Sequence, residues 1–188
     1  MSAISTGDLL EGEFVRLTRW QTQDLPQIAQ AYADAGFLQN LMRHMLYPET
    51  LEDIEAWYRS QSEAEAPPTF AVRLRADNSL LGILGLKELR WHARHTFFYV
   101  GIFPDFQRRG YGADAVRVML HYAFMEMNLN CVALEVFAFN TGAVRLYEKL
   151  GFVRDGTLRA YMYRDGVYHD MHLMSLTRAE WEAHKARA

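Results

Sequence analysis

Two apolar, β-rich runs, residues 96–103 and 131–139, are separated by a single amphipathic segment, residues 110–127. That segment places Tyr111, Ala115, Val118, Met119 and Tyr122 on one helical stripe. Two strands joined by one helix and adjacent in a sheet must run parallel, with a right-handed crossover. Hairpin chemistry flanks them on both sides. Runs 69–75 and 80–89 meet at Ala76-Asp77-Asn78-Ser79, and runs 152–163 and 167–176 meet at Arg164-Asp165-Gly166. The expected class is therefore α/β (α+β) with a mixed, mostly antiparallel sheet holding one parallel pair and flanked by helices, not a doubly wound one.

The remaining elements follow from local signals. Residues 13–19 alternate as a short strand. Asp24-Leu25-Pro26 starts a helix that is expected to end near Ala35, before Gly36. Thr50 and Asp53 form a capping pair for a second helix with Ile54, Trp57 and Tyr58 on its apolar face. Residues 140–150 form a helix that Gly151 ends in a left-handed cap. The predicted order is β-α-α-β-β-β-α-β-α-β-β. At 188 residues the chain suits one domain, taken as residues 12–181, after a flexible leader (1–11) and before a surface tail (182–188) that continues from Trp181.

Composition narrows the function classes. Half the residues are apolar, and 20 basic against 23 acidic residues leave a net charge of −3. A disordered tail protein is excluded, and bulk positive charge for nucleic acid is lacking. The single cysteine, Cys131, excludes an internal disulfide and zinc sites built on cysteine pairs. No histidine spacing suggests a metal site, so none is expected. The apolar-plus-glycine run at residues 80–86 falls far short of the roughly 20 residues that span a bilayer. The amino-terminal stretch lacks the basic and apolar regions of a secretory signal, so the expectation is cytoplasmic.

The segment Gln107-Arg108-Arg109-Gly110-Tyr111-Gly112-Ala113 lies between a strand and a helix amino terminus. Glycines there bring backbone N–H groups close to an anion, the helix dipole favours negative charge, and two arginines add cations. It reads as a pyrophosphate cradle. A Walker loop is excluded because no Lys-Ser/Thr follows the glycines. Gly110-x-Gly112-x-x-Ala115, with Glu135 downstream, formally matches a dinucleotide fingerprint, although that fingerprint starts directly after its strand. A coenzyme A loop of the form Gln/Arg-x-x-Gly-x-Gly/Ala fits as well. An ordinary strand-to-helix turn also accounts for the glycines.

Downstream, Asn140-x-x-Ala143-x-x-x-Tyr147-x-x-x-Gly151-Phe152 follows the second strand. Taken alone, Asn140 is a helix cap and Tyr147 a core aromatic. Together with the Gln107–Gly112 motif, this segment resembles the GCN5-related N-acetyltransferase (GNAT) family over about residues 13–181. Residues 38–53 and the run Arg164 to Asp170 are similar to the branch that acetylates ribosomal-protein amino termini (RimJ/RimL-type). The resemblance implies the acyl-CoA N-acyltransferase fold, in which the parallel strands splay and pantetheine pairs with the free edge of the first. It implies acetyl-CoA as co-substrate, bound by Val100, Gly101, Ile102, residues 107–113, Asn140, Ala143 and Tyr147.

Acetyl transfer needs a neutral amine, a donor for the oxyanion and an acid for the departing thiolate. The resemblance implies Tyr147 as the acid and a backbone N–H near Val100 to Ile102 as the oxyanion donor. Glu135 matches the glutamate proposed as base in the ribosomal-protein enzymes, and a carboxylate tied to its neighbours is the other reading of it. Glu88 and His169 are outside candidates, as is a water chain. By the same analogy Arg43, His44, Tyr47 and Glu88 line the acceptor site, while a solvated loop is the stronger reading of the first three. The expected partners are an amine (a protein amino terminus, or a small amine such as spermidine) and a second copy in a homodimer, with neither nucleic acid nor membrane. An NAD(P)-dependent oxidoreductase using the Gly110 loop, and a non-catalytic acyl-CoA sensor, are the alternatives.

Overall fold

The computed structural model describes residues 9–42, 46, 49–60 and 66–187. The strands are β1 (Val15–Thr18), β2 (Thr69–Leu74), β3 (Leu80–Arg90), β4 (His95–Ile102), β5 (Cys131–Phe137), β6 (Val153–Arg164) and β7 (Val167–Thr177). The helices are α1 (Leu25–Tyr32), α2 (Ala35–Leu41), α3 (Leu51–Ser60), α4 (Tyr111–His121), α5 (Thr141–Lys149) and α6 (Arg178–Lys185). The sheet has seven strands in the order β1-β2-β3-β4-β5-β7-β6. The β4–β5 pair is parallel, as the single-helix crossover requires. The chain divides into two compact units, one of residues up to Lys87 with Tyr99–Tyr122, the other of Glu88–Phe98 with Ala123–Ala188. No helix among the described residues is long and apolar enough to cross a membrane.

In the first unit β1 and β2 pair antiparallel, as do β2 and β3. Asn78 takes a left-handed φ of 67° in the turn that joins β2 to β3. Buried Ile28 on α1, Ile54 on α3 and Ile83 on β3 share one apolar cluster, with Trp57 and Tyr58 packed on it. Thr50 and Asp53 cap α3 reciprocally: Asp53 Oδ2 accepts the Thr50 N–H at 2.8 Å, and Thr50 Oγ1 accepts the Asp53 N–H at 3.2 Å. The expected helix ending near Gly36 needs correction. α1 stops at Tyr32, and Asp34 starts α2 by accepting the Phe37 N–H at 2.6 Å, so Gly36 lies inside a new first turn. The expected leader also shortens, because Leu10 accepts the Leu17 N–H at 2.8 Å and Glu11 bridges to Arg16. Its first eight residues lie outside the described ones.

In the second unit β5 pairs with β7 over seven residues, and β6 returns antiparallel along β7. The β6–β7 turn places Asp165 and Gly166 at φ 49° and 81°, the pair of left-handed residues that a tight primed turn demands. The predicted helix 110–127 breaks into α4 and a π turn, Tyr122–Glu126. The Arg178 guanidinium donates to the Phe124 carbonyl there, satisfying an acceptor inside the irregular turn. The expected carboxy-terminal tail is largely helix. Thr177 and Glu180 form the capping box of α6, and Trp181 is 7% exposed with its ring 5.1 Å from Phe124.

The first unit also buries an ion pair that joins its elements. Arg73 on β2 and Asp24 before α1 are 4% and 5% exposed and lie 2.6 Å apart. Arg73 Nε donates to Thr18 Oγ1 at 3.0 Å, and Asp24 Oδ2 also accepts the Gln21 N–H at 2.8 Å. Removing one partner strands a buried charge, which costs about 3–5 kcal/mol. Arg73→Met or Asp24→Asn should each lower the urea unfolding free energy by about that much, and the double variant by less than their sum.

Candidate functional site

Within the first unit, the loop after β4 is shaped by its own backbone. Pro104 opens a short helical turn, and Gln107 Nε2 donates to the Ile102 carbonyl at 2.9 Å, tying the loop to the strand end. Gln107 is thus placed as a structural tie by its side chain. Arg108 and Gly110 both adopt left-handed φ, 59° and 85°. A Cβ built on Gly110 meets nothing within 4 Å, so the glycine is required for conformation rather than space.

Gly110 caps α4, and the Asp114 N–H makes the first helical bond to its carbonyl at 3.1 Å. The N–H groups of Tyr111, Gly112 and Ala113 therefore have no helical acceptor, as at any helix start. Arg108, Arg109 and Gly110 are exposed. The set of outward N–H groups, dipole and two cations fits a pyrophosphate. Gly101 is buried and Val100 and Ile102 are half-buried at the end of β4, and a side chain at Gly101 would collide with Phe37.

One acid beside this loop is missed by pattern reading. Asp114, four residues after Gly110 and 3% exposed, accepts N–H groups from Glu13 (3.1 Å), Phe14 (2.7 Å) and Val15 (3.0 Å). The available signal is an acid next to Ala115 on the buried stripe of α4.

Within the second unit, Asn140 accepts the Ala143 N–H at 3.2 Å and so caps α5, which Gly151 ends at φ 94°. Both residues do what the plain structural reading requires. The cap fixes the direction of α5 and turns Tyr147 inward. Its ring meets Phe98 edge-on at 5.9 Å and Phe152 at 5.7 Å, leaving 8% exposure. Burial alone pushes the phenol well above the ordinary tyrosine range.

The β4–β5 ladder is three residue pairs long and sets the faces. Phe97 pairs with Ala133, so Ala133 and Glu135 share the Phe97 face. Phe98 points to the other face, where Tyr147 packs. The two candidate catalytic groups thus stand on opposite faces of the sheet. Glu135 is half-buried and pairs across to Leu173 of β7.

Glu88 and His169 each have a local contact. Glu88 takes a left-handed φ of 52° in β3, and its exposed carboxylate lies 3.5 Å from Arg90. The His169 ring lies against Phe139 at 4.9 Å. Arg43, His44 and Tyr47 lie outside the described residues. The dinucleotide alternative loses its scaffold: a helical turn separates β4 from Gly110, and β5 returns antiparallel to β7 instead of opening a βαβ series.

Comparison with known proteins agrees with this geometry. Residues 15–153 match the family model described as an acetyltransferase (GNAT) domain. YokL of Bacillus subtilis, named as a prophage-derived uncharacterized N-acetyltransferase, is 26% identical over 91% of this chain and 94% of its own. YdaF of the same organism, a candidate ribosomal N-acetyltransferase, is 30% identical over 79% of each chain. Among solved structures, a Vibrio cholerae spermidine N-acetyltransferase in complex with CoA and spermine superposes with a TM-score of 0.82 at 26% identity, covering 89% of this chain and 98% of that one. The strand order, the glycine loop, the Asn140–Tyr147 helix and the family match together establish that this chain belongs to the GNAT acetyltransferase family and is an N-acetyltransferase.

Proposed function

We propose that the enzyme transfers the acetyl group of acetyl-CoA to a primary amine of a small polycation of the spermidine class. The observation that carries this reading is the likeness, over nearly the full length of both chains, to the spermidine N-acetyltransferase complexed with CoA and spermine. A protein amino terminus is the second reading, favoured by the 30% identity to YdaF. The RimJ/RimL-type resemblance points the same way as that second reading.

The coenzyme supplies a thioester whose carbonyl carbon the amine attacks: an N–C bond forms, the C–S bond breaks, and the amine gives up a proton. The residues have distinct tasks. The N–H groups of residues 111–113, with Arg108 and Arg109, hold the pyrophosphate. A backbone N–H within Val100 to Ile102 polarises the thioester carbonyl. Asn140 and Ala143 fix the start of α5, and through it the Tyr147 phenol.

Only the neutral amine attacks, and free amines titrate near ~8 for an α-amino group and ~10.4 for a lysine-like one. The raised Tyr147 pKa keeps the phenol protonated throughout that range, so it can donate to the departing sulfur. Glu135, on the opposite face, takes the amine proton through water.

Three outcomes test these assignments. Release of coenzyme A thiol, followed across spermidine, spermine, free amino acids and peptides with ribosomal-type amino termini, should be fastest with the polyamines. Faster turnover of a peptide moves the assignment to protein amino termini, and acetyl-CoA binding without thiol release for any of these acceptors favours a sensor. Tyr147→Phe with saturating acetyl donor should lower turnover roughly a hundredfold, whereas a loss of only a few-fold leaves Tyr147 a packing residue. Glu135→Gln should flatten the acidic limb of the pH–rate profile, and an unchanged limb removes it as base.

A further inference from the structure

Asp114 is a buried acid that none of the roles above uses. Its carboxylate binds the amino-terminal segment through both oxygens: Oδ1 accepts the Glu13 N–H, and Oδ2 accepts those of Phe14 and Val15. The segment is built around it. Gly12 donates to the Val15 carbonyl at 2.7 Å, folding the backbone back over the acid. A Cβ on Gly12 would fall 2.5–2.7 Å from the Asp114 carboxylate, so the close approach needs glycine there.

Arg75 holds the outer side of the same segment, donating to the Gly12 carbonyl at 2.7 Å and pairing with Glu11 at 3.1 Å. Phe14 adds an edge contact to Tyr111, the first residue of α4, with ring centroids 6.3 Å apart. Residues 11–15 therefore form a strap whose contacts converge on the first turn of α4.

That turn carries the outward N–H groups of residues 111–113. We propose that Asp114 is a positioning residue for coenzyme binding: by gathering three backbone N–H groups of the strap, it locks the first turn of α4 in the orientation that presents its own N–H groups to the pyrophosphate. The proposal rests on the coenzyme reading above.

Two physical effects oppose each other here, which makes the sign informative. A carboxylate one turn from a phosphate site repels the ligand, and the three strap dipoles aimed at the carboxylate offset that charge. If repulsion governed, removing the charge would tighten binding. If orientation governs, removing it loosens binding, because an amide at this position accepts through one atom only and turns an NH2 group toward a strap N–H.

Two variants separate orientation from general stability. Asp114→Asn alters the acceptor, and Gly12→Ala pushes the strap off an unchanged carboxylate, so the second decides if the first does not fold. CoA is titrated calorimetrically into each protein. Amide exchange is followed at residues 13–15, and turnover is measured with S-acetylpantetheine, a donor lacking the pyrophosphate.

Each variant should raise the CoA dissociation constant about tenfold, the scale of one lost charge-assisted hydrogen bond. Exchange at residues 13–15 should quicken, and turnover with S-acetylpantetheine should match the wild type. Equal losses with both donors overturn the proposal in favour of plain destabilisation. Unchanged or tighter CoA binding also overturns it. A wild-type protein that takes up no CoA fails the coenzyme reading itself, and this proposal with it.

Discussion

Parallel neighbours cannot be closed by a turn, and that constraint organises this fold. The chain leaving β4 must travel the length of the sheet before it can enter β5, and α4 is the element that makes the return. A helix beginning past the carboxyl end of a strand directs its unpaired N–H groups outward at that end. The proposed anion cradle is thus a by-product of the connection, and the features that set the loop apart from an ordinary turn are few: the left-handed Arg108 and Gly110, the Gln107 side chain on Ile102, and two exposed arginines.

Two buried acids of the first unit serve a common end. Asp24 binds Arg73 and the Gln21 N–H, and Asp114 binds three N–H groups of the strap. Both acids fasten an element end where the backbone lacks partners of its own. An unpaired N–H in a dry interior is costly, and a carboxylate can relieve several at once. The first unit therefore holds its strand and helix ends by specific contacts as well as by the apolar cluster around Ile28, Ile54 and Ile83.

What could be read from the sequence was local. Thr50 with Asp53, Asn140 before α5, Gly151 after it and the Asp165-Gly166 turn each report backbone geometry within a few residues, and each stands where it was expected. The misreadings needed distant partners. Gly36 resembles a stop until Asp34 is seen to cap a new helix, and the tail becomes α6 because Trp181 finds Phe124 more than fifty residues away. The π turn is invisible to periodicity, since its satisfied carbonyl depends on Arg178. In the candidate site, the glycine loop and Tyr147 were legible as motifs. Asp114 was not, because one acid in a helical stripe has no meaning until its three donors are in view.

The opposite-face placement of Glu135 and Tyr147 has a consequence for the catalytic cycle. In the proposed roles, one group gains a proton on one side of a sheet while the other loses a proton on the far side. Both must return to their resting protonation states before the next turnover, so proton exchange belongs to the cycle as much as acetyl transfer does.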